Sequence, residues 1–385
     1  MSVNDSDTGI PMTTCPACSN LVPSEEYCGA CGAHLASNSP GRHTAYAADP
    51  SEHMFHLSAV STLFPHLPHR RSAPFRLALL VAGGLLVVLG IARLTGPAIA
   101  LAAIAVPVLY VLYLWEVEVY EDEPVTVTAL TFVLGILLGI PWAWFTGPIV
   151  TATLLGTVIA GPQPGKVLLA GVVFPLAAQV LMLLGPLFLF FYRRRYDEAL
   201  DGFTFGAASA LGFTLATTFV NLWPELRLGL VTNADPATHT LTVLERGLLN
   251  PFLAASTTGL IAGALWLRRG KVRSLAAHGW TTTLWTSILV AAVVWVVLGL
   301  VNVSVLSTGV AVGAYLLLTM AMLLWVRVAL HHMLLAEAVE VQVGPMEPCF
   351  HCHRIEPRMA FCPHCGIATR ATPKTGTGRL RRAFR

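Results

Sequence analysis

The stretch from Arg193 to Trp223 reads "RRRYDEALDGFTFGAASALGFTLATTFVNLW". Three arginines and the acidic residues Asp197, Glu198 and Asp201 come first, and no charge follows before Trp223. A bilayer core needs roughly 20 apolar residues in helical form, and 203–223 supplies them. Gly202, Gly206 and Ala210 recur at four-residue spacing, with Gly212 nearby. Small residues at that period let two helices approach closely, so this helix is expected at the centre of a bundle.

The rest of the chain agrees with a membrane as its solvent. Of 385 residues 55% are hydrophobic and only 12% charged, with a mean hydropathy of +0.66; a soluble domain carries about 25% charged residues. Eight stretches are apolar enough to span: about 75–93, 98–115, 125–145, 166–191, 203–223, 247–267, 278–300 and 305–330. The stretch 147–160 is apolar but short and bounded by Gly and Pro, which reads as interfacial or re-entrant, with a ninth span as the alternative. The fold expected is an all-α polytopic membrane protein of about eight transmembrane helices.

The first seventy residues lack the basic n-region, apolar h-region and cleavage site of a signal peptide. They carry His43, His53, His56, His66 and His69 in a polar setting. Their irregular spacing reads as a solvated linker, with metal binding as the alternative.

Near the N-terminus the chain reads "CPACSNLVPSEEYCGACG" and near the C-terminus "CFHCHRIEPRMAFCPHCG". Both are C-x2-C-x9-C-x2-C, with an aromatic (Tyr27, Phe361) before the second pair and a glycine (Gly32, Gly366) after it. The ligands would be Cys15, Cys18, Cys28 and Cys31 in the first module and Cys349, Cys352, Cys362 and Cys365 in the second. Each C-x-x-C turn points two thiolates at one ion, and two turns complete a tetrahedron with no open position. Such a closed site holds a structural zinc rather than a catalytic one. Two disulfides per module is the competing reading, but paired C-x-x-C knuckles favour zinc. Segments this short cannot bury a core, so the metal would supply most of their folding free energy. His351, His353 and His364 lie close by, but four thiolates already satisfy the ion. Both modules resemble the small zinc ribbons that many bacterial and archaeal membrane proteins carry.

Thiolate sites belong in a reducing compartment, which predicts both termini in the cytoplasm and an even number of crossings. The basic residues agree: Arg70, Arg71, Arg193, Arg194, Arg195, Arg268, Arg269, Lys271, Arg273 and the tail "GRLRRAFR" fall on one side. Arg93, Lys166, Arg227 and Arg246 stand isolated on the other. The acidic connection "EVEVYEDEP" breaks the pattern, but acidic residues count little in that rule. The chain then divides into an N-terminal ribbon (1–36), a flexible His-containing linker (37–72), an eight-helix domain (73–333), a C-terminal ribbon (345–370) and a basic tail (371–385).

Ionisable residues inside a bilayer mark ion paths or catalysis, and the span interiors hold no acidic residue. Glu116 and Glu118 end the second span, Glu225 follows the fifth, Glu245 precedes the sixth, His278 starts the seventh, and Arg327 lies near the inner end of the eighth. What remains is hydroxyl chemistry: Thr214, Thr217, Thr218, Ser256, Thr257, Thr258, Thr281, Thr282, Thr283 and Thr286. Such groups mostly bond their own backbone or a neighbouring helix; a polar cleft for a peptide or lipid headgroup is the minority reading.

Four segments carry a family resemblance. "DGFTFGAASALGF" (Asp201 to Phe213) resembles the D-G-x-x-[YF]-G-A-x-x-G-[LI]-G-F segment of the PrsW family of intramembrane proteases. "YEDEP" ending at Pro124 is similar to that family's acidic turn, "VVFPLAAQVLM" sits where it has Pro followed by a glutamate pair and a lysine, and "NPFLAASTTG" resembles its Pro-x-x-His helix. The resemblance implies a membrane-embedded peptidase site of glutamates and histidines, with a metal as an option. At the matching positions this chain has Ala178 and Gln179 for the glutamate pair, Met182 for the lysine, Thr217 for the F-x-x-x-E glutamate and Ala254 for the first histidine. Only His278, in "AAHGW", matches, with Thr282 where an acidic or amide residue is expected.

Threonine does not ionise near neutral pH and alanine offers no ligand, so the resemblance supports the fold and argues against the chemistry. The reading is a PrsW-like pseudoprotease that keeps a cleft, marked by Thr217 and His278, for a transmembrane segment or lipid. Its zinc ribbons would recruit a cytoplasmic partner at a prokaryotic cytoplasmic membrane. Two alternatives remain: an active peptidase joining Glu225 or Glu245 to His278, and a transporter or channel. The tail from Arg379 to Arg385, with Lys374 upstream, fits anionic lipid at about 1 kcal/mol per basic residue, and nucleic acid is not expected.

Overall fold

The computed structural model describes residues 11–36, 50, 73–116, 125–192, 198–228, 236–268, 283–304, 306–337, 343–349 and 351–369. The described part holds eight helices between two small β-hairpins. They are α1 (Ala73–Ile91), α2 (Thr95–Glu116), α3 (Val125–Ala160), α4, α5 (Ala199–Leu228), α6, α7 (Leu284–Val303) and α8 (Thr308–Glu337). Helix α4 comprises Pro164–Leu168, a π turn at Leu169–Val173, and Phe174–Tyr192. Helix α6 comprises Pro236–Leu244, a π turn at Glu245–Leu249, and Asn250–Trp266.

The helices α2 to α8 are seven elements long and apolar enough to cross a membrane, and in α1 the apolar run is the shorter Leu77–Ile91. The chain is an integral membrane protein. At 1.5 Å per residue the 19 residues of α1 rise about 28 Å, close to the thickness of the hydrocarbon core.

The stretch 147–160 is neither re-entrant nor a separate span. It continues α3, which runs unbroken for 36 residues past Pro141 and Pro148. A single proline removes one intrahelical bond but does not end a helix when the turns on both sides are apolar and lack competing partners. The end comes at Gly161, whose φ of +81° is the left-handed conformation that closes helices.

Helix α5 is the hub, packing against α2, α3, α4, α6 and α8. From Asp201 to Thr214 it is buried at every position but Phe203. Its glycines face two neighbours. A Cβ on Gly206 would lie 2.8 Å from the Thr258 carbonyl oxygen in α6, and one on Gly212 would strike the Phe132 carbonyl in α3. The expected central helix is therefore present, gripped on both sides by small-residue contacts.

Both π turns share one local feature, a glycine four residues before a proline; Pro107, Pro141, Pro148, Pro186 and Pro224 lack that glycine and stay within α-helix. Pro175 and Pro251 lack an N–H, and a proline ring collides with the carbonyl four residues earlier, here Gly171 and Gly247. Widening the helix by one residue relieves both problems. The two sites are spelled alike, "GVVFP" and "GLLNP". The Gly171 carbonyl faces Gly299 of α7, where any Cβ would strike it.

The hairpins β1 (Met12–Thr14) with β2 (Leu21–Pro23), and β3 (Met346–Pro348) with β4 (Ile355–Pro357), are antiparallel and equivalent. The equivalence extends to backbone angles: Ser19 and His353 have φ of 62° and 61°, and Gly32 and Gly366 have 73° and 70°. The two modules touch. Phe361, Met359 and Ala368 of the second are buried in one cluster with Val22 and the four cysteines of the first. Each ribbon alone is too short to bury a core, and the structure supplies one by putting them together.

Candidate functional site

In the N-terminal ribbon the Sγ atoms of Cys15 and Cys31 are 3.8 Å apart, as are those of Cys18 and Cys28. In the C-terminal ribbon Cys349 and Cys365 are 3.8 Å apart, and Cys352 and Cys362 3.9 Å. Disulfide sulfurs sit about 2.05 Å apart, and all eight cysteines are free. A tetrahedral ion with metal–sulfur bonds of about 2.3 Å has sulfur–sulfur edges of about 3.8 Å. The spacing therefore fits a four-thiolate metal site and not a pair of disulfides. Among the described residues, these clusters are the groups of three or more His, Cys, Asp or Glu side chains close enough to share an ion.

The acid–base chemistry of the sulfurs points the same way. Hydrogen bonds from the Cys18, Cys28 and Cys31 thiols hold Cys15 well below its usual value, while crowding by Cys15, Cys18 and Cys28 pushes Cys31 well above it. In the second ribbon the Cys362 and Cys365 thiols hold Cys349 low, and Cys349 pushes Cys362 up to about 11. In the first ribbon Cys15 and Cys18 are held low while Cys28 and Cys31 are pushed up, so the sulfurs ionise at one another's expense, and a bound dication would let all four ionise together. The Ala17 and His351 N–H groups donate to Cys15 and Cys349 Sγ at 3.4 and 3.5 Å, the knuckle geometry in both ribbons. His364 lies 3.3 Å from Arg354 rather than in the cluster.

The membrane domain has a different centre. Gln179 of α4 is 5% exposed. Its Oε1 accepts from Thr257 Oγ1 at 3.0 Å and from Trp295 Nε1 at 2.6 Å, and its Nε2 donates to Thr258 Oγ1 at 3.1 Å. Trp295 Nε1 also lies 3.1 Å from Thr257 Oγ1, and the Thr258 hydroxyl reaches Met182 Sδ at 3.9 Å. Thr257 and Thr258 are fully buried and Trp295 is 8% exposed. The network ties α4, α6 and α7 together just beyond the two π turns, which set the rotation of α4 and α6 there. Such bulges in membrane helices recur at functional positions.

Four of the positions singled out in the sequence meet at this place. Ala178, Met182 and Ala254 pack in one apolar cluster with Phe213 and Trp295, and Gln179 stands at its polar heart. Thr217 lies one turn beyond Phe213, half-buried, with its hydroxyl bonded to the Thr214 carbonyl at 3.0 Å. His278, Thr281 and Thr282 lie outside the described residues, as do the histidines of 37–72 and the basic tail. The other hydroxyls mostly back-bond their own helix: Thr214 to Ala210 at 3.0 Å, Thr257 to Leu253 at 2.8 Å. Thr283 caps α7, accepting from the Thr286 N–H at 3.3 Å.

One placement differs from expectation. Glu245 stands inside a span rather than before it, because the apolar stretch of α6 runs Thr240–Trp266 and Glu245 opens its π turn. Hydropathy alone ends a span at a Glu-Arg pair, whereas the helix continues through both residues.

Chemically the interior site is an amide, two hydroxyls and an indole N–H. None ionises near neutral pH, so none activates water, and the set offers no carboxylate or imidazole to hold a peptidase metal. Trp295 went unmarked in the sequence, where it is one more aromatic in an apolar span; only its partner, 116 residues away, identifies it.

A family model described as PrsW family intramembrane metalloprotease matches residues 123–327. No curated protein and no solved structure matches the chain.

Proposed function

The chain belongs to the PrsW family of intramembrane metalloproteases, and from that premise we propose that it keeps the family's membrane fold without peptidase chemistry. The observation that carries this reading is the neutral network at Gln179, Thr257, Thr258 and Trp295. It occupies the place where the resemblance puts the glutamate pair and the first histidine. The amide of Gln179 has the shape of a glutamate but no charge. Its carbonyl oxygen is already used twice, by Trp295 and Thr257.

The function proposed is binding. Because the network is sealed, a transmembrane segment or lipid would seat on the half-buried face of α5 that includes Thr217. The ribbons hold zinc, the ion that four thiolates at this spacing select in a cell. They face a reducing cytoplasm at a prokaryotic membrane and recruit a partner there. Contact between the two ribbons supports a common side for them. Among the described residues seven helices are long and apolar enough to cross, and an even number of crossings requires α1, with its shorter apolar run, to cross as well.

The test is reconstitution of the purified chain in vesicles with a single-span, membrane-anchored reporter. The reporter stays intact and forms a crosslink to a photoreactive residue at position 217. Cleavage that stops on His278→Ala overturns the proposal.

A further inference from the structure

The two ribbons share more than their ligand spacing. The aromatic before the second cysteine pair and the glycine after it face each other across the ribbon pair. A Cβ on Gly32 would lie 2.7 Å from the Phe361 ring, and one on Gly366 would lie 2.6 Å from the Tyr27 ring. Both glycines adopt positive φ, so nothing larger suits either position. The backbone repeats this reciprocity. The Phe361 N–H donates to the Gly29 carbonyl at 2.9 Å, and the Tyr27 N–H donates to the Pro363 carbonyl at 2.7 Å. Tyr27 and Phe361 are equivalent positions in the two modules, and so are Gly29 and Pro363. The contact is therefore isologous, as between the halves of a two-fold dimer, but it joins the two ends of one chain.

The geometry points to a single metal-loaded clasp. We propose that the two four-cysteine sites bind metal cooperatively, through the Tyr27–Gly366 and Phe361–Gly32 contacts and the paired backbone hydrogen bonds. Every bond in the contact lies within two residues of a ligand: Tyr27 and Gly29 flank Cys28, Phe361 and Pro363 flank Cys362, and Gly32 and Gly366 follow Cys31 and Cys365. Metal that orders the Cys28–Cys31 knuckle orders the surface on which the other ribbon folds. The apolar core is common property, since Met359 and Phe361 are buried against the first ribbon's cysteines. Metal lost from one site removes part of the neighbour's core. The consequence is that both chain ends are released from each other when either site empties.

The experiment uses the full chain in lipid nanodiscs, with cobalt(II) as the probe, because a four-thiolate cobalt site has a distinctive visible spectrum. The variant Cys349→Ser with Cys365→Ser reports the N-terminal site alone, and Cys15→Ser with Cys31→Ser reports the C-terminal one. Each remaining site is expected to bind cobalt about 5- to 150-fold more weakly than in the parent, the usual range of coupling between two sites. Linkage requires the two factors to be equal. Unchanged affinity in either variant, or unequal factors, overturns the proposal.

A second pair of variants leaves all eight cysteines in place. Gly29 has no positive φ, so its backbone suits any residue, but a Cβ there would strike the Met359 sulfur and lie 3.1 Å from the Met359 Cβ. Gly29→Val is expected to weaken both sites, and adding Met359→Ala in the other ribbon to restore most of the loss. Failure of a change in one ribbon to rescue the other overturns the coupling. The inference rests on metal occupying both ribbons. Absence of any four-thiolate cobalt spectrum removes that premise, whereas two independent affinities remove the coupling alone.

Discussion

Trp295 places its indole N–H 2.6 Å from the side-chain oxygen of Gln179. The bond joins α7 to α4 in the interior of the membrane domain. The same oxygen accepts from Thr257 on α6, so three helices meet at one amide.

Removing the indole N–H separates this bond from the packing around it. Trp295→Phe keeps most of the ring volume and is expected to cost about 0.6 kcal/mol, the average for hydrogen bonds between membrane helices, and at most about 1.7 kcal/mol. Trp295→Ala also leaves a cavity and is expected to cost about 3 to 5 kcal/mol. Unfolding in detergent titrated with a denaturing surfactant distinguishes them; no loss in Trp295→Phe would show that the bond contributes nothing, and equal losses that the packing contributes nothing.

Restoring a carboxylate at the central position is expected to restore no activity. Gln179→Glu places an acid between α4 and α6, but Ala254 still offers no ligand and Thr217 no second carboxylate. Incubation with a membrane-anchored reporter should leave it intact. Specific cleavage by this variant would place the chain one substitution from catalysis and contradict the reading of the site.

The glycines of α5 are expected to tolerate no side chain of size. Gly206→Leu and Gly212→Leu meet backbone carbonyls of α6 and α3, a collision that the usual 1 to 3 kcal/mol of overpacking sets as a floor. Gly83→Leu in α1 is the control, because no atom lies within 4 Å of a Cβ there. Thermal melting in detergent should drop for the first two and hold for the third.

Metal content separates zinc from disulfides directly. The purified chain is expected to carry about two zinc ions and, after denaturation with a chelator and no reductant, to show all eight cysteines as reactive thiols. Fewer reactive thiols and no zinc would establish disulfides instead.

Much of this was legible in the chain. The helices of the membrane domain follow from runs of apolar residues, and their positions agree with the hydropathy to within about seven residues, the shifts being widest at the start of α7 and the end of α8, except at α3 and α6. Those exceptions have local causes: prolines and glycines inside α3 looked like ends, and the Glu245–Arg246 pair looked like a boundary. The small-residue spacing of α5 marked it as central, and it is. The π turns were not read in advance, although both fall at one spelling, "GVVFP" and "GLLNP". A glycine four residues before a proline in an apolar helix is a signal that hydropathy does not weigh.

The interior site was legible only in its absences. The replaced positions Ala178, Gln179, Met182 and Ala254 followed from a resemblance, but nothing local distinguished Gln179 from a glutamine facing lipid headgroups. In a soluble helix the polar face identifies the inside by contrast. Here lipid is as apolar as the protein core, so neither face is marked. Trp295 and Thr258 became partners through the way α4, α6 and α7 pack together.

Composition and spacing by themselves determined the solvent, the helices and the two sets of four cysteines that cluster, because each depends on residues within a single turn or span. Tertiary structure alone decided what those elements do together. It closed a neutral network on Gln179 from helices far apart in the chain. It also turned two ribbons into one pair by seating Tyr27 over Gly366 and Phe361 over Gly32. The repeated aromatic and glycine were visible as a shared spelling in both ribbons. Their purpose was not, since a contact between the two ends of a chain exists only once the helices between them have folded back.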